Sequence, residues 1–139
     1  MESTANARPQ AKQSAEPITT MGIVAPVVGW IIPGAGHLLL RRWVRGLLLM
    51  LCIVAMFALG LAMEGKLYSA NTGELLDILG FVGDLGAGML YIVSKSLGLG
   101  AGNIARATAD YGTKFLIVAG LLNIIAAVDA HHIAIGKKR

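Results

Sequence analysis

The sequence predicts an all-α, polytopic integral membrane protein, and three observations predict it. Met21 to Leu40 and Gly46 to Met63 carry no Asp, Glu, Lys or Arg, and each run is long enough, or nearly so, to cross a hydrocarbon core of about 30 Å as a helix. A short basic turn, Arg41-Arg42-Trp43-Val44-Arg45, separates them. Composition agrees: 55% of residues are apolar and 14% charged, with a mean hydropathy of +0.68, whereas soluble domains carry about 25% charged residues.

A formal charge of +4 does not point to nucleic acid. Half of the basic residues sit in two clusters, Arg41/Arg42/Arg45 and Lys137/Lys138/Arg139, each against an apolar run. That placement suits anionic headgroups and the rule that fixes insertion topology. The single Cys52 excludes an internal disulfide.

In chain order, residues 1–17 are too polar to bury a core and read as a disordered tail, leaving 18–139 as the membrane domain. Pro26 and Pro33 interrupt the first run where a cleaved leader needs continuous apolar sequence, which argues against one. The first helix, about 21–40, should kink at Pro26 and bend or break at Pro33-Gly34-Ala35-Gly36-His37, because proline removes a backbone donor and restricts the preceding residue. Backbone freed at that depth needs protein or water to cover it. The second helix, about 43–63, is proline-free, with Trp43 and Arg45 at its interfacial end. A polar connector, 64–74, follows, with Asn71-Thr72-Gly73 as its turn.

Residues 75–95 are hydrophobic but hold Asp77, Asp84 and four glycines. At 100° per residue Asp77, Asp84, Gly88, Tyr91 and Lys95 share one stripe, describing an amphipathic helix that either lies in the interface or re-enters, or crosses with the stripe turned inward. Residues 96–113 read as loop, and a last helix covers about 113–135. Both basic clusters are cytoplasmic if 75–95 does not cross: three spans with the N-terminus outside. Four spans leave one cluster on the wrong side.

Candidate chemistry is sparse. His37, Asp129 and His132 lie near the same end of their helices and could ligate a divalent metal or relay protons; polar residues there more often bond across helices or reach headgroups. Asp77 and Asp84, with Lys95 as counter-ion, are either a polar path or the wet face of an interfacial helix. Asn123, mid-span, reads as an interhelical donor. Gly98-x-Gly100-x-Gly102 lacks the third glycine of a dinucleotide fingerprint, and no catalytic, nucleotide or lipid-attachment motif appears.

Pro33-Gly34-Ala35-Gly36-His37, with Gly46 nine residues on after a basic, aromatic turn, resembles the Pro-Gly-x-Gly-(His/Gln) hairpin of small bacterial membrane proteins of the TM2-domain-like group. The aromatic-rich turn of that pattern is replaced by Leu38-Leu39-Leu40-Arg41. Residues Phe115 to Asn123, with Asp129-Ala130 and Gly136-Lys137-Lys138, look like an uncharacterised bacterial family, a domain of unknown function. The resemblance implies a membrane protein without assigned catalytic residues or cofactor. The 18 glycines, on segments that need protein neighbours to cover broken backbone, set the expectation: a non-enzymatic structural or accessory subunit of the inner membrane, packing as a homo-oligomer or with a membrane partner. The alternative is a small transporter or channel component with a polar path through Asp77, Asp84 and Asn123.

Overall fold

A computed structural model describes residues 20–70 and 73–137. The tail at 1–17, Asn71 and Thr72 of the expected turn, and Lys138 and Arg139 lie outside the described residues. All regular structure within them is helical: α1 (Thr20–Ile31), α2 (Ala35–Leu39), α3 (Trp43–Ala62), α4 (Leu75–Leu85), α5 (Met89–Ser96) and α6 (Ala107–Ala134).

Among the described residues two helices, α3 and α6, are each long and apolar enough to cross a membrane, and α4 with α5 would be so if taken as one bent span. α3 and α6 pack antiparallel over most of their length, Gly60 and Gly65 against Gly112 at one end and Arg45 beside Asp129 at the other. A methyl built on Gly112 would lie 2.7 Å from the Gly60 carbonyl oxygen, and one on Gly60 would lie 2.8 Å from that of Gly112. Lipid offers no hydrophobic drive for helix pairing, so close backbone approach through small residues supplies the contact. The outer face of α3, including Val44, Leu47, Leu48 and Leu51, is exposed. α6 is the hub, burying Gly112, Leu116, Ala119, Gly120, Asn123 and Ala126 against the other helices.

The single helix expected over 21–40 is instead two. α1 runs through Pro26 and stops at Ile31, and Gly34, at φ +79°, turns the chain. α2 then doubles back along α1, so that Gly36 lies against the Ala25 carbonyl and Ala130 of α6. Proline and a left-handed glycine end the first helix, and the absence of a Cβ at 36 lets the return strand of the hairpin approach. This also corrects the direction of the first segment. The start of α1 lies at the same end of the bundle as the 41–45 turn, since Gly22 is bonded to His131 while His37 and Arg45 reach Asp129.

The 75–95 helix is likewise two. α4 and α5 meet at 108° across Gly86-Ala87-Gly88, with Gly88 at φ +61°. Both arms attach to the connector that precedes them. Gly80 and Asp84 of α4 meet Tyr68, while Tyr91 and Lys95 of α5 bond the carbonyls of Tyr68 and Leu67. The connector is thus a docked segment rather than a free polar loop, with Leu67 in the core and its N–H donated to the Gly100 carbonyl.

α6 begins six residues before the expected start at 113. Asp110 in its first turn favours the positive helix end, and Gly112, within the expected loop, is the contact point for α3.

Candidate functional site

Three buried polar junctions lie along α6. At the basic end, His37 is 1% exposed and its Nε2 donates to Asp129 Oδ2 at 3.0 Å, with Arg45 Nη1 3.4 Å from the same oxygen. The Pro33 to Gly46 motif explains why. Gly34 and Gly46 touch backbone to backbone, which draws α3 against the hairpin and brings Arg45 and His37 to one carboxylate. Of the three sequence-derived candidates, His37 and Asp129 come together. His132 instead stacks obliquely beside His131, ring centroids 5.9 Å apart. Among the described residues no three His, Cys, Asp or Glu side chains are grouped to hold a metal ion.

His131 carries a role that composition conceals. Pro26 has no N–H to give the carbonyl four residues back, Gly22. His131 Nδ1 donates to that oxygen at 2.6 Å, replacing the missing bond from a neighbouring helix.

The second junction is Asn123, fully buried. Its Nδ2 donates to the carbonyls of Trp30 and Gly86, both at 2.9 Å. These carbonyls belong to the C-terminal turns of α1 and α4, whose last four carbonyls have no intrahelical partner. One amide therefore closes two broken helices. The two hairpins meet at the same place: a Cβ on Gly88 would run into the Trp30 carbonyl, and one on Gly120 into that of Gly83. Asn123 Oδ1 has no hydrogen-bond partner.

At the far end Asp84, expected on either a polar path or the wet face of an interfacial helix, is 0% exposed. Its Oδ2 accepts the Tyr68 N–H at 2.8 Å, and its Oδ1 is unpartnered. Lys95 Nζ reaches the Leu67 carbonyl at 3.0 Å and Ser69 Oγ at 2.8 Å. Burial raises the Tyr68 phenol above its ordinary range, with Asp77, Asp84 and Asp110 adding to it, so it remains a neutral hydroxyl at physiological pH. Asp77 is only partly buried. The common stripe is real for Asp84, Tyr91 and Lys95, but they converge on the connector because the helix breaks between them.

The two hairpins share a form that sequence reading overlooked. In both hairpins a three-residue break ends on a positive-φ glycine, Gly34 or Gly88. Each is followed by a long apolar helix, α3 or α6, and those two helices run in opposite directions.

An all-helical bundle with two helices fit to cross a membrane, and polar groups committed to bridging helix ends, is the architecture of a small membrane protein. The chain belongs to DUF6677, a family of unknown function whose model matches residues 24–139. No curated protein and no solved structure matches it.

Proposed function

We propose that this protein is a non-enzymatic structural or accessory component of the cytoplasmic (inner) membrane that acts by helix packing, as a homo-oligomer or with a membrane partner. The observation that carries this reading is the use of its interior polar groups. Asn123 holds the ends of α1 and α4, His131 covers the carbonyl freed by Pro26, and Asp84 holds the connector. Asp84 and Asn123 bond different elements instead of lining a shared path. In this reading α3 and α6 span, while α1–α2 and α4–α5 are re-entrant hairpins entering from opposite sides. That arrangement places Arg41, Arg42, Arg45 and Lys137 on one side, as the positive-inside rule asks.

Single cysteines in a Cys52→Ala background test the layout. Thr20→Cys and Arg41→Cys should label from the cytoplasm, and Ser69→Cys and Ser96→Cys from outside. Thr20 and Arg41 on opposite sides would make 20–40 a true span. Ser69 and Ser96 on opposite sides would make 75–96 one.

A second reading, a transporter or channel component, is favoured by one observation: hairpin-plus-helix units in opposite directions, with broken helices meeting at Asn123, are how transporters build midplane sites. Proteoliposomes loaded with pH-, Na⁺-, K⁺- and Cl⁻-sensitive dyes separate the two. Flux indistinguishable from empty vesicles is expected, and sustained flux of any one ion would replace packing with translocation.

A further inference from the structure

A groove of about 1080 Å³ opens between α4 and the first half of α6, at the upper end of the roughly 300–1,000 Å³ of small-molecule sites. Its two ends differ in chemistry. Lys66, Arg106 and Lys114 line one end, with Asp110 as the only acidic lining residue; Leu79, Val82, Ile117 and Leu121 line the other. The charged end lies where the connector meets α6, Lys66 N donating to Thr113 Oγ1. From Lys114 to Leu121 the α6 axis advances about 10 Å, against about 15 Å for the hydrocarbon of one leaflet.

The three cations are not equally available. Arg106 is 3.4 Å from Glu64, which also accepts from Asn103. Lys66 and Lys114 lie over the rings of Tyr68 and Tyr111, at 4.9 and 5.4 Å from the centroids. Neither lysine is in an ion pair with a carboxylate among the described residues.

We propose that this groove holds an anionic phospholipid of the surrounding leaflet, its phosphate at Lys66 and Lys114 and one acyl chain along Leu79, Val82, Ile117 and Leu121. Charge complementarity sets the sign of the headgroup. The order of the two ends along α6 sets the class of molecule: a free phosphate leaves the apolar half uncovered, and a zwitterionic lipid brings its own cation beside Lys66, Arg106 and Lys114. The inference rests on the membrane orientation proposed above.

The test uses the full chain in detergent, equilibrated with equal phosphatidylglycerol and phosphatidylcholine and read by native mass spectrometry. One phosphatidylglycerol should be retained in preference, and Lys66→Gln and Lys114→Gln should each reduce that preference about fivefold, with helicity and thermal midpoint unchanged. Arg41→Gln/Arg42→Gln, at the other end of the bundle, should leave it intact. Equal retention of the two lipids, loss of preference in the arginine variant, or persistence in Lys66→Gln/Lys114→Gln would overturn the assignment. Inorganic phosphate or glycerol 3-phosphate competing as well as the whole lipid would reduce the site to a phosphate site and overturn it too. If the chain fails to float with vesicles of either composition, the membrane reading itself falls. Flotation without preference removes only the groove.

Discussion

Gly88→Ala is expected to lose about 2–6 kcal/mol of stability, from about 1–3 for a backbone region that side chains avoid and about 1–3 for overpacking. Gly88 sits at φ +61°, ψ −122°, and its added methyl would run into the Trp30 carbonyl, which is backbone and cannot swing aside. Gly98→Ala is the matched control. Gly98 is also left-handed, at φ +69°, but a Cβ there meets nothing within 4 Å, so only the conformational cost of about 1 kcal/mol remains. Thermal unfolding in detergent, followed by Trp30 fluorescence in a Trp43→Phe background, should show Gly88→Ala far below Gly98→Ala. Equal midpoints would mean that the two hairpins do not meet at this contact.

Asn123→Leu, which keeps the branching and heavy-atom count of the asparagine, should cost about 2–6 kcal/mol, because it strips the donor from two carbonyls worth about 1–3 each when left bare. Interhelical bonds in membranes average nearer 0.6 kcal/mol, since the unfolded chain finds other partners. The larger figure applies here because Gly88 packs against the Trp30 carbonyl, Gly86 is buried, and Asn123 has 0% exposure. Ile125→Ala, on the exposed side of the same helix, should shift the midpoint by no more than about 0.5 kcal/mol. An Asn123→Leu midpoint level with that control would remove Asn123 from its closing role. Gly88 and Asn123 both act on Trp30, so the combined variant should fall short of additivity.

The long helices were legible because nothing local contradicts them: α3 has no proline, no acid and an interfacial Trp43, and it matches the expected 43–63 within one residue. Pro33 and its glycines announced a break, but the direction of the chain after it did not follow. Whether a helix bends or doubles back depends on Gly36 meeting Ala25 and Ala130, contacts distant in sequence. Asp84 and Lys95 read as one helical stripe, but they meet the connector from two arms of a broken helix, which a straight helix does not announce. The His37–Asp129 pair was visible as two polar groups at one depth; Arg45 was assigned to topology alone and also proves to be a partner. His131 and Trp30 were not visible, since one acts on a carbonyl orphaned by Pro26 and the other offers only its backbone. Gly-Ala-Gly did not single out the paired hairpins, since it stands at 34–36 and 86–88 but also in the loop at 100–102.

Asn123 and His131 also set an order of events during synthesis. Their bonds to Trp30 and Gly22 join residues 93 and 109 positions apart. The α1–α2 hairpin therefore leaves the ribosome long before the helix that satisfies its exposed carbonyls. α1 alone is shorter than a membrane span, so the hairpin must wait at the bilayer surface or in the care of the insertion machinery until α6 arrives. Assembly is completed by the segment made after all those it holds, so a truncated nascent chain lacking α6 should be a substrate for membrane quality control rather than a stable fragment.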